Sequence, residues 1–323
     1  MYNTVCQGHP SPGEDLPPTQ EAGNTMRSLL YIYNPHAGKG KALHWLSQAL
    51  DAFTKAGWLV TAYPTQGRAD ATRAAEELGG RFDRVVCCGG DGTLHEVITG
   101  LMALPERPAV GYLPTGTTND FSRNLHLPRS VAGKTETAAG GVPRAVDIGR
   151  FNQDYFVYVA AFGAFTDVAY DTPQSFKNMF GHLAYVLEGA ARLASLPHYR
   201  LRVEHDNGVE EGEFLYGMVS NTVSVGGFRG MPEREVKLDD GLFEVVLIRQ
   251  PQNAAQLQSL LTTLVQPANA ASAGGTVTSF HTSHLTVTCA EEMPWTLDGE
   301  FGGAHKVAEI ENLPRALDIV YGK

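Results

Sequence analysis

At 323 residues, the chain is long enough for two domains of ordinary size, each with a core of its own. Apolar side chains make up 43% and charged ones 19%, which excludes a disordered chain, and no stretch approaches the ~18 uncharged apolar residues that a bilayer span needs. With 25 basic and 35 acidic residues the net charge is −10, a field that opposes nucleic acid and anionic surfaces unless a local basic patch overcomes it.

Residues 1 to about 25 are rich in Pro, Gly and polar side chains without periodicity, and are expected to form a loose tail. They carry neither a basic start nor an apolar run, so no export signal is read. Leu29 to Tyr33, closed by Asn34-Pro35, predicts a buried strand. A helix follows, because Leu43, Leu46, Leu50 and Phe53 recur at intervals of three and four before Gly57 stops the pattern. The alternation continues with a strand near Trp58 to Tyr63, a helix near Ala69 to Leu78, a strand at Val85 to Cys88, a helix near Thr93 to Leu104 and a strand at Ala109 to Leu113. All-apolar strands separated by helices imply a parallel sheet covered on both faces, with ligands at the carboxyl ends of the strands. Cys87 and Cys88, adjacent in such a strand, lack the C-x-x-C spacing of zinc or redox sites, and four cysteines are too few for a disulfide scaffold, so a reducing cytoplasm is expected.

Beyond about Val146 the pattern becomes strand-rich: Tyr155 to Ala161, Tyr199 to Glu204, Glu213 to Val219, Leu242 to Ile248 and Leu285 to Thr288. Amphipathic helices are predicted near Phe176 to Leu196 and Ala254 to Val265, the first interrupted by Glu188 and Arg192. The terminal run Ala316 to Tyr321 is a strand expected to return to the first domain. The division is therefore a tail over 1–25, a nucleotide-binding domain over 26–145 with a returning segment at about 306–323, and a β-rich domain over 146–305.

The sharpest chemical feature is Gly89-Gly90-Asp91-Gly92-Thr93, set between a buried strand and a helix. Its glycines let backbone N–H groups approach an anion, and the helix directs its positive end to the same place. Asp91 is counterproductive beside phosphate unless a metal ion or a proton transfer is involved, which argues for Mg²⁺; the plain alternative is an Asp-Gly turn. Asn34 to Lys41 and Pro114 to Phe121 also follow strands, and parallel topology would bring all three loops to one edge. Neither Walker A spacing nor G-x-G-x-x-G is present, so this is a nucleotide site of another kind.

These stretches, with Gly226-Gly227, Lys237 to Leu242 and Asp298-Gly299-Glu300, resemble the lipid kinases that carry a diacylglycerol-kinase catalytic domain. That family is similar to sphingosine and ceramide kinases and, more distantly, to NAD kinases and phosphofructokinases. The resemblance covers the chain from about residue 27 to its end, and Gly-Thr-Thr-Asn-Asp-Phe and the late Asp-Gly-Glu are its most specific parts. It implies a three-layer, Rossmann-like α/β domain, a β-sandwich-like domain and a cleft between them. Around ATP it places Asn34, Pro35, His36, Ala37, Gly38, Thr65, Gly90, Asp91, Gly92, Thr93, Leu94, His95, Glu96 and Thr117. It makes Glu300 the general base, with Asp91 and Asp120 beside the reacting phosphate, and has Mg²⁺ held by the Asp240 carboxylate and the carbonyls of Lys237 and Leu242, linked through water to Asp91 and Asp120. Asp239-Asp240-Gly241 also reads as an ordinary turn entering a strand.

The activity so implied is transfer of the γ-phosphoryl group of Mg-ATP to the hydroxyl of a lipid such as diacylglycerol, met at a membrane surface by transient peripheral association. A kinase of a soluble acceptor such as NAD, or a nucleotide-binding regulator without turnover, are the alternatives; the oligomeric state, a homodimer included, stays open. One departure stands out: the family usually has Asn where this chain has His95, and His keeps a polar donor or acceptor but can gain a proton. Phe176 to Phe180 offers aromatics with a cation for a membrane interface, although exposed helix packing explains it equally. Phe162, Phe165, Tyr216 and Met218 would suit an acyl pocket or, more ordinarily, core.

Overall fold

The computed structural model describes residues 26–117, 119–163, 198–222, 237–265 and 275–322. The expectations for the tail, for Phe165, for the helix near Phe176 to Leu196 and for Gly226-Gly227 lie outside the described residues. Among the described residues no helix is long and apolar enough to cross a membrane.

In the amino-terminal half, β1 (Arg27–Tyr33), α1 (Lys41–Lys55), β2 (Trp58–Pro64), α2 (Asp70–Leu78), β3 (Arg84–Gly89), α3 (Asp91–Met102), β4 (Ala109–Pro114) and α4 (Val131–Gly140) build a parallel sheet in the order β2-β1-β3-β4. The period-two geometry of a strand divides its side chains between two layers. Leu29 and Tyr31 pack with Phe53 of α1 and Ala138 of α4, whereas Leu30 and Ile32 pack with Ala71 of α2 and Val97 of α3. A strand covered on both faces must be apolar at every position, and β3 is buried throughout. The predicted strands and helices of this half appear within about two residues of their expected ends. Pattern reading misses α4, whose Val-Ala-Gly-Lys-Thr-Glu-Thr-Ala-Ala-Gly sequence has little apolar bulk; it is fixed instead by Ser130, whose side chain accepts from the Gly133 N–H at 3.1 Å.

The carboxyl-terminal half is antiparallel: β5 (Pro143–Phe151), β6 (Asp154–Phe156), β7 (Val159–Gly163), β8 (Tyr199–His205), β9 (Gly208–Ser220), β10 (Phe243–Arg249), α5 (Ala254–Val265), β11 (Val277–Thr282), β12 (His284–Leu297) and β13 (Glu300–Val320). Trp295 lies at the centre of its core, 4.9 Å from the Phe151 ring and 4.8 Å from that of Phe162. Phe162 is buried in this packing, and Tyr216 and Met218 are buried in a second cluster with Val246 and Ile248, which favours the core reading of those side chains. The strand expected over Tyr155 to Ala161 is broken in two, because the N–H groups of Val157, Tyr158 and Val159 all turn to the Asp298 carboxylate. The strand expected at Leu285 to Thr288 runs on to Leu297, and β5 and β11 are additions.

β13 joins the halves. It pairs with β12, then with β5, and at Ile319 lies parallel to β4 beside Val110, so the sheet is continuous from one half to the other. A bulge between Leu313 and Leu317 bends it. There Arg315 takes a φ of 53°, and its N–H donates to Asp147 Oδ1 at 2.7 Å.

Candidate active site

The carboxyl ends of β1, β3 and β4 deliver their loops to one place, as parallel topology requires. Backbone bonds extend the ladder into the loops: Asn34 N–H to the Cys88 carbonyl, Thr65 N–H to Tyr33 and Thr115 N–H to Gly89. Two glycines allow the loops to touch. A Cβ at Gly38 would overlap the Thr115 carbonyl oxygen, and one at Gly116 would lie 2.6 Å from the Cα of Gly90. Helix α3 begins at Asp91 and not at Thr93 as expected, with Gly90 as its cap. Asp91 and Gly92 therefore belong to the first turn, where α3 aims its unsatisfied N–H groups into the cleft.

The cleft, of about 560 Å³, is lined from the first half by Asn34, Ala37, Gly38, Thr65, the Gly90 to Thr93 turn, His95, Glu96, Thr117 and Asp120, and from the second by Tyr158, Asp298, Gly299, Glu300 and Phe301. Sequence reading missed Gly67, Arg68, Ala69, Thr72 and Thr99, which line the same space from α2, its preceding loop and α3. Of these Arg68 offered the nearest thing to a signal, a cation two residues ahead of a helix. Pro35, His36 and Leu94 do not line the cleft. The His36 N–H is held by Asn34 Oδ1 at 2.9 Å, which shapes the loop, and Leu94 is buried in the core.

Several carboxylates have defined tasks. Glu96, expected at the nucleotide, accepts from the Ala69 N–H at 2.8 Å and the Ala71 N–H at 3.2 Å and so caps α2. Asp91 Oδ2 accepts from the Asp120 N–H at 3.0 Å, which ties the loop after β3 to the loop after β4. Asp298, fully buried in its side chain, bonds His95 Nδ1 at 2.8 Å besides its backbone partners. Glu300 reaches back across the cleft, and a Cβ built on Gly92 would lie 2.9 Å from its Oε1. Burial raises the Tyr158 and Tyr112 hydroxyls well above the ordinary tyrosine value, with the Asp91 charge adding to it, so both remain neutral.

Lys237, Asp240 and Leu242 do not line this cleft. Asp240 Oδ1 accepts from the Leu242 N–H at 3.1 Å, the turn geometry that the sequence left as an alternative. The turn is joined to β5 through Asp147, whose Oδ2 accepts from the Gly241 N–H at 2.7 Å and whose N–H donates to the Leu238 carbonyl at 2.7 Å. Burial raises the Asp147 carboxyl and pushes that of Glu244 up to about 8, with Asp240 contributing repulsion to each. Glu244 Oε2 is buried without a hydrogen-bond partner among the described residues.

A diacylglycerol kinase catalytic domain matches residues 28–151, and the YegS C-terminal NAD kinase beta sandwich-like domain matches residues 160–321. A diacylglycerol kinase of Bacillus subtilis (strain 168) is 35% identical over 305 residues, which covers 92% of this chain and 97% of that protein. A diacylglycerol kinase of Staphylococcus aureus (strain bovine RF122 / ET3-1) is 35% identical over 299 residues, 89% of this chain and 90% of that one. Among solved structures, a diacylglycerol kinase from Bacillus anthracis str. Sterne superposes with a TM-score of 0.70 at 23% identity, covering 92% of this chain and 98% of the other.

Proposed function

This chain belongs to the diacylglycerol kinase family of lipid kinases, and from that premise we propose that it transfers the γ-phosphoryl group of Mg-ATP to the hydroxyl of a lipid such as diacylglycerol, with Glu300 as general base. The observation that carries the reading is the approach of Glu300 to Gly92, which sets a carboxylate against the first turn of the phosphate-binding helix. Phosphoryl transfer asks little covalent chemistry of a protein; it asks that the acceptor oxygen lie in line with the phosphorus and be relieved of its proton. Glu300 comes from the opposite half of the cleft and would take that proton. The Gly90 to Thr93 turn and the α3 dipole would receive the phosphates, and the Asn34 to Gly38 loop and Thr65 would flank them.

A divalent cation with the nucleotide is part of this reading, although among the described residues no cluster of three or more His, Cys, Asp or Glu is placed to hold a metal on its own. Asp91, Asp120 and Glu300 make this part of the cleft acidic, and a triphosphate brought among them without counter-charge would be repelled. Asp91 and Asp120 would hold Mg²⁺ with the nucleotide, and the carbonyls of Lys237 and Leu242 with the Asp240 carboxylate would hold a second ion. Bound there with ATP, Mg²⁺ neutralises charge on the transferring phosphoryl group. Phe301, next to Glu300 and 47% exposed, gives the acceptor side an apolar surface suited to an acyl chain. A lipid hydroxyl would be reached from a membrane surface by transient association, in keeping with a chain proposed to act in the cytoplasm.

The test is ADP release from Mg-ATP with diacylglycerol in detergent micelles, with sphingosine or other lipid alcohols, with NAD, and with no acceptor. Diacylglycerol-dependent turnover that falls at least ~100-fold in Glu300→Gln while ATP affinity stays within about threefold is expected. Turnover only with NAD would overturn the substrate class, and full turnover in Glu300→Gln would remove Glu300 as the base.

A further inference from the structure

His95 sits on the first turns of α3 and lines the cleft. Its Nδ1 lies 2.8 Å from Asp298 Oδ2, and the imidazole is 18% exposed against 0% for the Asp298 side chain. Asp298 is not a free carboxylate that happens to be near. It receives the Val157 N–H at 2.7 Å, the Tyr158 N–H at 2.9 Å and the Val159 N–H at 3.1 Å, and the Tyr158 hydroxyl donates to its carbonyl at 3.3 Å. These bonds hold Asp298 at a φ of 53° and let Gly299, at 87°, complete the turn that presents Glu300. The His95 bond adds a fixed point from the other half of the cleft. Helix α3 therefore touches this turn twice: Gly92 abuts the Glu300 carboxylate, and His95 grips the residue two before it.

We propose that His95 is a positioning residue that ties α3 to the Asp298-Gly299-Glu300 turn through its Nδ1–H and so keeps the Glu300 carboxylate aimed at the acceptor. The inference rests on the reading of Glu300 as the base. The groups facing His95 are Asp298 and Glu300 from the β12–β13 turn and Glu96 on its own helix, while Tyr158, Arg68 and Asp91 line the same cleft. Burial alone would disfavour the charged ring, but the Asp298 bond and the carboxylates of Glu300 and Glu96 outweigh it and raise the His95 pKa. The charge is fully present below the ordinary histidine value and is lost as pH rises through the raised one.

Asparagine separates position from charge. Its Nδ2 is bonded to Cγ as the histidine Nδ1 is, so His95→Asn can donate to Asp298 from nearly the same point without ever becoming cationic. Four forms would be compared in the lipid-dependent ADP assay across pH: wild type, His95→Ala, His95→Asn and Glu300→Gln. His95→Ala is expected to lower kcat ~10–100-fold with the KM for ATP within about threefold, as a displacement near 1 Å does. His95→Asn, which keeps the donor to Asp298, should recover most of that loss. Wild-type kcat in His95→Ala or no recovery in His95→Asn would overturn the proposal while leaving Glu300 as the base. Full turnover in Glu300→Gln would overturn both. Should His95→Ala not fold, NMR titration of the His95 ring in the wild-type protein decides: a value above the ordinary one with an Nδ1-bound proton supports the tie, and an ordinary titration refutes it.

Discussion

Replacing Gly92 by alanine should make the enzyme more stable and much slower. Gly92 is the second residue of α3 and has no need of the conformational freedom that glycine brings. In a helix, alanine is preferred to glycine by ~0.5–1 kcal/mol, because it loses less backbone entropy. The new Cβ would stand 2.9 Å from Glu300 Oε1 and 3.6 Å from its Cδ. Both atoms belong to the end of a flexible, exposed side chain, so Glu300 moves and the backbone does not. An off-rotamer Glu300 costs at most ~1.5 kcal/mol, and a swing to another staggered well in solvent costs far less, so the helix term wins. A Tm increase of ~1–3 °C is expected. The displaced carboxylate, about 1 Å from its place, should cost ~10–100-fold in kcat, or ~1.4–2.7 kcal/mol of transition-state stabilisation. Gly140→Ala is the control: it also lies in a helix, but its Cβ would meet nothing within 4 Å, so it should share any stability gain with unchanged kcat. Thermal melting and lipid-dependent ADP release would be measured on all three proteins. A Gly92→Ala enzyme with kcat within twofold of wild type would refute the reasoning that the approach of Glu300 to α3 has a catalytic purpose.

Three further outcomes are expected. Arg84 is buried, donates to the Ala138 and Ala139 carbonyls at 3.0 and 2.9 Å and stacks on Trp58, so Arg84→Met should lower unfolding free energy by ~1–3 kcal/mol in urea titrations; an unchanged midpoint would show that these bonds to the end of α4 contribute nothing net. Asp70 is held below the usual carboxylate range by the Gln66 N–H and by Arg73 and Tyr63, so Asp70→Asn should be less stable than wild type at pH 7. That difference should close as pH falls through the depressed value, where the wild-type carboxylate gains its proton; a gap independent of pH would refute it. If a second Mg²⁺ binds at the β10 turn, MgCl₂ without nucleotide should raise the Tm of the wild type and not that of Asp240→Ala, and equal responses would remove Asp240 as a ligand.

The parallel half was legible because its determinants are local. A strand buried on both faces has to be apolar at each position, as Arg84 to Gly89 is after its first residue, and the glycines that follow mark where the chain must approach an anion. The loops after β1, β3 and β4 and the Asp298-Gly299-Glu300 motif do meet in one cleft, although Glu300 stands more than 200 residues from Asp91, whereas Lys237, Asp240 and Leu242 do not line it. What pattern could not supply were bonds between distant segments. Tyr155 to Ala161 reads as one strand until the Asp298 carboxylate, 139 to 141 residues away, draws off the three N–H groups at its centre. Glu96 belongs to the recognised loop, yet only the position of α2 reveals that its oxygens are engaged by Ala69 and Ala71. Asp298 was visible only as part of a motif; its burial and its bond to His95 follow from the antiparallel half being docked on α3.

The relation between base and phosphate loops is set by one strand. β13 starts at Glu300 and, past the bulge at Leu313 to Leu317, reaches Ile319 beside Val110 of β4. The carboxyl end of β4 then supplies Gly116, Thr117 and Asp120 to the cleft. A second route closes the circuit, from Asp120 to Asp91 through a backbone bond and from α3 to the Glu300 turn through His95 and Gly92. The long route is covalent and braced by β-ladders except at the bulge, where the Arg315 N–H is taken by Asp147 and the same carboxylate holds Gly241 of the β10 turn. A cation at that turn would therefore act on the bend between the halves as well as on local charge. The short route depends on side chains, with about one hydrogen bond's worth of net stability, ~0.5–1.5 kcal/mol, in the neutral His95–Asp298 contact and more when it is charged. The ladders decide that the two halves belong together; side-chain bonds of this size decide where within about an ångström the carboxylate stands, and that is the scale on which phosphoryl transfer is sensitive.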